Sequence, residues 1–140
     1  MEVKLILPWP PSVNLYKKVG RLVKTKTGKI YQQRVNSKET IAFYYQVYML
    51  SKQNIPLEWS GVSRDATIRF EVTAYLYPPD NRVRDVDNSL KVLLDSLVRA
   101  EIIRDDSQIA RLVVEKMNTV EYGKVLLTIK VLEKGTQPCA

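Results

Sequence analysis

The residues best suited to chemistry in this chain are aspartates that lie close together in the sequence. Asp85 and Asp87 are two positions apart, and Asp105 and Asp106 follow further along the chain. In an extended stretch, side chains two positions apart leave the same face of the backbone, so the first two carboxylates come close together. At a separation of about 4 Å and an effective dielectric constant near 20, two such charges repel by about 4 kcal/mol. A bound divalent cation would supply the missing counter-charge.

The composition narrows the kind of metal ion. The chain contains no histidine and a single cysteine, Cys139, so it cannot build a zinc site of the usual cysteine and histidine kinds, and oxygen ligands favour Mg²⁺ or Mn²⁺. A calcium loop that began at Asp85 would need glycine and glutamate where this chain has Leu90 and Ser96. The absence of histidine also excludes a Ser-His-Asp triad and any nuclease that relies on a histidine base.

Lys91 adds a positive charge to this acidic region. It lies one helical turn after Asp87, so in a helix it would face the carboxylates, although a lysine in the first turn opposes the helix dipole. There it could steady metal ligands or stabilise a phosphate or leaving oxygen in a transition state. A simpler alternative is a surface ion pair with Asp87 or Asp95, worth only about 0.3–0.5 kcal/mol.

Each acidic residue also has a simpler explanation of its own. Asp87 or Asn88 could cap the N-terminus of a helix, and residues 105–107 could form a turn before a strand. Asp80 follows two prolines and is expected to be a turn residue. Because a cap explains only one aspartate, the group as a whole favours a metal site.

Basic residues form a second group with an expected function. The formal net charge is +7, and its excess lies in one tract of eight basic and no acidic residues: Lys17, Lys18, Arg21, Lys24, Lys26, Lys29, Arg34 and Lys38. Such a tract is typical of a surface that meets phosphates, and the alternative is a solvated hairpin edge guarded by lysines. Arg82 and Arg84, which precede the acidic residues, are expected to be phosphate contacts as well.

Hydrophobic patterning predicts the elements that position these residues. A first strand ends at Leu7, before a run of prolines, and a hairpin turns at Gly28. A helix capped at Ser37 has Ile41, Tyr44, Tyr45, Tyr48 and Met49 on one face, and the second helix turns Leu90, Leu93, Leu94, Leu97 and Val98 toward the core. The predicted order is hairpin strands 21–25 and 29–34, helix 37–52, loop 54–64, strand 68–76, helix 88–100, and strands 109–116 and 124–132, the last two joined across 121–123. This order predicts a single α+β domain over residues 1–140, a mixed sheet with two main helices packed on it.

The sequence gives no sign of a membrane protein. The most apolar helical stretch, residues 41–50, is interrupted by Gln46 and is too short to span a bilayer, and the N-terminus lacks the pattern of a signal peptide. A lone cysteine near the C-terminus forms no intrachain disulfide. A cytoplasmic location is therefore expected.

Three sequence elements together resemble the RusA-type Holliday-junction resolvases. They are the stretch LPWPPSVN at residues 7–14, the stretch RDVDNSLK at 84–91, and the stretch DDSQ at 105–108. The resemblance spans most of the chain and implies a RusA-like fold. It also implies a homodimeric, Mg²⁺-dependent endonuclease, with Mn²⁺ as a possible substitute, that resolves four-way DNA junctions by paired symmetric nicks. Such enzymes act in recombination and repair and are often encoded by phages or prophages.

The resemblance also implies roles for individual residues. Asp85, Asp87 and Asp106 match the metal-binding carboxylates of the family, and Lys91 matches its catalytic lysine. Asn88 and Asp105 match supporting positions. The expected DNA contacts are Asn14, Lys17, Lys18, Arg21, Arg82 and Arg84. The chain departs from the family in a longer segment between the first helix and the long strand and in a lysine-rich hairpin, which bear on DNA contacts and leave the chemistry unchanged.

Two other functions remain open at this point. One is a nucleic-acid-binding protein without catalytic activity, in which the acidic group is structural. The other is a metal-dependent phosphohydrolase acting on a small phosphorylated substrate, which would have no use for the basic tract.

Overall fold

The computed structural model describes residues 1–12 and 17–132, and for residues 17–19, 21 and 31–34 it describes the backbone alone. The strands in these ranges are β1 (Glu2–Leu7), β2 (Lys17–Lys24), β3 (Ile30–Asn36), β4 (Arg69–Tyr77), β5 (Ile109–Lys116) and β6 (Lys124–Leu132). The helices are α1 (Lys38–Asn54), α2 (Trp59–Ser63) and α3 (Leu90–Arg99), and 3₁₀ turns at Val86–Ser89 and Asp106–Gln108 precede α3 and β5. None of the helices described is long and apolar enough to cross a membrane.

Four strands form one mixed sheet in the order β1-β6-β4-β5. β6 pairs antiparallel with both β1 and β4, whereas β5 runs parallel to β4. Along β4 and most of β6 every second side chain is buried, as the alternation in the sequence predicted, and these side chains share one core with β1 and the helices. The predicted α+β fold, a mixed sheet with two main helices packed on it, is confirmed.

Helix α1 begins at the predicted cap but packs with a different face. The Ser37 hydroxyl accepts a hydrogen bond from the backbone N–H of Thr40 at 3.3 Å. The large side chains that α1 buries are Phe43, Tyr44 and Val47. Of the face grouped from the sequence only Tyr44 is buried, and the other members are exposed: Ile41, Tyr45, Tyr48 and Met49. Two apolar stripes lie side by side on this helix, and the sheet covers the one that contains Phe43.

Residues 78–108, which include α3, connect the parallel strands β4 and β5. Parallel neighbours need a crossover of this kind because a tight turn can join only antiparallel ones. The predicted apolar face of α3 is confirmed, since all its members are buried or packed against the core: Leu90, Leu93, Leu94, Leu97 and Val98. The extents of β5 and β6 are also as predicted, but β4 lies between them in the sheet.

Residues 54–64, which the sequence predicted as a loop, contain the short helix α2. Its Trp59 is 2% exposed, donates its indole N–H to the Ile102 carbonyl at 2.8 Å and lies with its ring 6.0 Å from that of Phe70. A five-residue helix is too short to show an apolar repeat, so the loop prediction was wrong for these residues. Trp59 thereby ties this segment to the end of α3.

β2 and β3 form a separate two-stranded sheet that carries most of the basic tract. The predicted turn is confirmed: Gly28 has a φ of 86°, and the Thr25 N–H donates to the Lys29 carbonyl at 2.8 Å. The side chains of Lys24, Lys26 and Lys29 are exposed. The tract therefore lies on a hairpin outside the four-stranded sheet.

Candidate active site

The first acidic turn, residues 85–89, leads into α3. The backbone of Asp85 is extended, and its carbonyl accepts the N–H of Asn88 at 3.1 Å, which closes the 3₁₀ turn. The side chains of Asp85 and Asp87 are exposed and make no hydrogen bond or ion pair with the described part of the chain. Ser89 is the residue at the N-cap of α3, and no side chain caps the helix there. Helix capping thus does not explain these aspartates.

The second acidic turn, residues 105–108, leads into β5 and is held by its own residues. The Gln108 side chain is buried: its amide oxygen accepts the Asp105 N–H at 3.0 Å, and its amide nitrogen donates to the carbonyls of Asp65 at 2.8 Å and Ile68 at 2.9 Å. The Ser107 hydroxyl donates to the Asp105 carboxylate, and this hydrogen bond is the main cause that lowers the pKa of Asp105. Asp106 remains exposed.

Lys91, in the first turn of α3, interacts with the carboxylates of Asp95 and Asp106. Its Nζ donates to Oδ1 of Asp95 at 3.1 Å, and its side chain is 58% exposed. The Asp95 carboxylate raises the pKa of Lys91, and the charge of Asp106 acts in the same direction. Of the alternatives for this lysine, the structure shows the ion pair with Asp95.

The three predicted metal ligands are not gathered at one point. Within residues 1–12 and 17–132, no three Asp, Glu, His or Cys side chains lie close enough together to hold a metal ion. Both turns lie in the crossover of residues 78–108, where the first turn contacts β5 and α3 contacts the second turn. The first turn belongs to the start of the crossover and the second turn to its end. The oxygen donors suit Mg²⁺ chemically, and their assignment as a shared site stays a prediction.

The two arginines before the first acidic turn have different surroundings. The side chain of Arg82 is 82% exposed, whereas that of Arg84 is 17% exposed. Nη1 of Arg84 lies 2.7 Å from Oδ1 of Asp80, and its guanidinium carbon lies 5.8 Å from the centre of the Trp9 ring. Arg84 holds the pKa of the Asp80 carboxyl well below its usual range, with help from Arg82. Asp80 is the expected turn residue, since its carboxylate accepts the Arg82 N–H at 3.0 Å.

The remaining predicted DNA contacts are not tested by the structure. Asn14 lies outside the described residues, and Lys17, Lys18 and Arg21 belong to the part of β2 for which only the backbone is described. Trp9, for which no role was expected, contacts Arg84 from the N-terminal end of the chain. Its signal in the sequence was a tryptophan between prolines, and nothing there indicated its partner.

Comparison with known proteins identifies the family. Residues 8–130 match the endodeoxyribonuclease RusA family. A crossover junction endodeoxyribonuclease of Escherichia coli K12 is 32% identical over 127 residues, covering 89% of this chain and 91% of the relative. Its namesake from Enterobacteria phage HK97 is 32% identical over 133 residues, with 94% and 97% covered, and that of Enterobacteria phage 82 is 32% identical over 127 residues, with 89% and 91% covered. With a match that spans both acidic turns and nearly all of the described fold, the chain belongs to the RusA family of endodeoxyribonucleases.

Proposed function

We propose that this protein is a crossover junction endodeoxyribonuclease, which cuts four-way DNA junctions in recombination and repair by paired, symmetric hydrolysis of phosphodiester bonds. The observation that carries the proposal is the family match over residues 8–130, which includes two acidic turns with exposed aspartates at the two ends of the α3 crossover. Asp85 and Asp87 are exposed and make no hydrogen bond or ion pair with the described residues, so their carboxylates are available to a ligand.

The proposed cofactor is Mg²⁺, with Mn²⁺ as a substitute, held by Asp85, Asp87 and Asp106. When bound, the ion would activate a water molecule for attack on the phosphodiester and neutralise developing charge. These side chains are exposed and can rotate, but they must turn toward a shared point before they can bind one ion together. The absence of histidine and the all-oxygen donors support this choice of metal.

Other residues of the two turns have supporting roles in this proposal. Lys91 provides an ammonium group that can stabilise the leaving oxygen in the transition state. Asn88 closes the first turn through its backbone N–H, and Asp105 holds the second turn through Ser107. Asn88 thereby helps to hold the adjacent Asp87 in place, and Asp105 helps to hold the adjacent Asp106.

Recognition of the junction follows from charge and symmetry. A four-way junction has two-fold symmetry, so a homodimer with two equivalent sites can make the paired nicks. The basic tract on the β2–β3 hairpin, with Arg82, would hold the arms through their phosphates, and binding would weaken steeply with salt.

Because the lone cysteine offers no disulfide framework, we place the single endonuclease domain of residues 1–140 in the cytoplasm.

The test is cleavage of an end-labelled synthetic four-way junction beside a linear duplex of the same sequence, with Mg²⁺ or EDTA. We expect Mg²⁺-dependent paired nicks near the branch point and none in the duplex. Asp87→Asn should reduce the rate by about 100-fold or more, because transition-state charge loses its stabilisation. Glu58→Gln, which makes the same charge change at an exposed residue of the α2 region, is the matched control.

Two outcomes would contradict the proposal. Tight junction binding without cleavage across a range of Mg²⁺ and Mn²⁺ would favour a binding protein without catalytic activity. Hydrolysis of small phosphate esters that is unchanged when Lys17, Lys18 and Arg21 are neutralised would favour a phosphohydrolase.

A further inference from the structure

Arg84 is placed as an internal side chain although it was predicted to contact DNA. Its Nη1 pairs with the Asp80 carboxylate at 2.7 Å and also donates to the Asp80 carbonyl at 3.1 Å and the Arg82 carbonyl at 3.4 Å. These contacts close the five residues that precede Asp85 into a compact loop. A guanidinium that is 17% exposed and already bonded has little left to offer a phosphate. Arg82 also pairs with Asp80, with Nη2 3.1 Å from Oδ2, but its side chain is 82% exposed and can still reach a phosphate.

The second partner of Arg84 comes from the N-terminal end of the chain. The guanidinium lies 5.8 Å from the centre of the Trp9 ring, within the range of a cation–π interaction. Trp9 is held there by the turn before β6, where Gly123 has a φ of 69°. A Cβ atom at Gly123 would lie 2.9 Å from Cβ of Trp9 and 3.0 Å from Cδ of Pro79. Only glycine fits this position. The position of Trp9 therefore depends on Pro79 and Gly123, which are far from it in the sequence.

The same contacts reach the backbone that leads into the first acidic turn. Nζ of Lys116, at the end of β5, donates to the Arg84 carbonyl at 3.1 Å. A small cavity beside this bond is lined by Trp9, Arg84, Lys116 and the turn residues Asp85, Val86 and Ser89. Arg84 is therefore fixed through both its side chain and its carbonyl, one residue before the first predicted metal ligand.

We infer that Trp9, Asp80 and Arg84 form a clamp that positions the first acidic turn, so that Arg84 acts on catalysis through Asp85 and Asp87. The catalytic part of this inference rests on the proposed function, because it assumes that these two carboxylates take part in cleavage. The clamp also gives a physical reason why the LPWPP stretch and the acidic stretch occur in one chain. Trp9, Asp80 and Arg84 are positioning residues, and none of them needs to touch DNA.

The substitution Asp80→Asn separates a clamp from a DNA contact by the sign of its effect. If Arg84 serves as a phosphate contact, removal of the neighbouring negative charge frees it, so junction binding tightens and cleavage is at least as fast. If the clamp positions the turn, single-turnover cleavage at saturating protein falls by about tenfold or more because the carboxylates are misplaced. This rate is the deciding measurement, because Asp80 also pairs with Arg82 and its loss can tighten junction binding in EDTA under either reading. Arg82→Gln, which removes an exposed charge from the same loop, is the control and should lower affinity without lowering the saturated rate.

Trp9 provides the second pair of variants. Trp9→Leu removes the aromatic face and should lower the saturated cleavage rate by about tenfold, whereas Trp9→Phe keeps a ring over the guanidinium and should restore most of it. Thermal unfolding of each variant shows whether it is folded. Asp80 is at the surface, so Asp80→Asn keeps the test valid even if Trp9→Leu does not fold.

A readout that does not depend on cleavage distinguishes failure of the clamp from failure of the proposed function. Trp59 is 2% exposed, so quenching of tryptophan fluorescence by acrylamide reports mainly on Trp9. Asp80→Asn should raise the quenching constant by about twofold, since the guanidinium that covers the ring is released, and Arg82→Gln should leave it unchanged. If the wild-type protein cuts no junction, the proposed function fails and quenching still decides the clamp. Unchanged quenching in Asp80→Asn, or unchanged cleavage in both Asp80→Asn and Trp9→Leu, would overturn the inference.

Discussion

The two acidic turns are built in opposite ways although both are 3₁₀ turns beside the α3 crossover. The second is held by its own residues, since Gln108 bonds three backbone groups and Ser107 bonds Asp105. The first has no side-chain cap and is held from outside, by contacts that converge on Arg84. Its two aspartates are left without partners among the described residues.

This difference separates groups that stabilise the fold from groups that are available for chemistry. Asp105 is engaged in a hydrogen bond that lowers its pKa, so it contributes to the shape of its turn. Asp85 and Asp87 make no such contact with the described residues, and unfolding should be insensitive to their substitution. Variants that act on stability alone or on cleavage alone can therefore test the division.

Lys91 is expected to show the largest effect because it lies between the two turns. Lys91→Ala should lower junction cleavage by about 100-fold, since an ammonium group that stabilises developing charge is lost. Asp95→Asn, which removes its ion-pair partner at 3.1 Å, should change the rate by less than about threefold, because an exposed pair within one helix is worth little. Single-turnover rates at saturating protein give the comparison. Equal rates for Lys91→Ala and the wild type would mean that the lysine is only a surface partner of Asp95.

Gln108 offers the largest expected effect on stability. Gln108→Ala should lower the free energy of unfolding by about 2–3 kcal/mol, because the partly buried carbonyls of Asp65 and Ile68 both lose their hydrogen-bond donor. Asn88→Ala in the first turn should cost less than about 1 kcal/mol, since its side chain makes no hydrogen bond in the described structure. Urea denaturation of both variants measures the difference. Similar losses would show that the first turn is as self-supporting as the second.

The fold was largely predictable because its long elements carry strong local patterns. The alternation in β4 and β6 and the apolar face of α3 identify their buried sides directly. α1 was harder, because its sequence holds two overlapping apolar stripes and only the sheet decides that Phe43 and Val47 face inward. β5 shows weak alternation at the sheet edge, so its parallel pairing with β4 could not be seen from the sequence.

For the candidate site, the sequence named residues but could not show their arrangement. Local spacing pointed to particular aspartates and one lysine, and their roles stay a prediction. It did not indicate that, in the part of the chain that the structure describes, no three of these carboxylates lie close enough together to hold a metal ion. The charge of Arg84 suggested a phosphate contact, which stays a prediction. Its contacts within the fold, with Asp80 and Trp9, depend on how the N-terminal stretch packs against the turn before β6.

The smallest expected effect concerns the end of α3, where the crossover turns toward the second acidic turn. Glu101 follows this helix with a φ of 60°, and the Ile102 N–H donates to the Leu97 carbonyl at 3.0 Å, a pattern in which glycine is the favoured residue. Glu101→Gly should raise the free energy of unfolding by about 0.5–1 kcal/mol, because glycine adopts positive φ without the strain that a Cβ atom brings.

Glu101→Ala is the matched control for this change, since it removes the same charge but keeps a Cβ atom, and it should give no gain. Urea denaturation measures stability, and junction cleavage should be unchanged in both variants. A gain in the free energy of unfolding in Glu101→Gly alone would show that the backbone is strained at Glu101, where α3 ends and the chain turns toward the second acidic turn. An equal gain in both variants would assign the effect to the lost carboxylate, and the strain at Glu101 would then have no measurable cost.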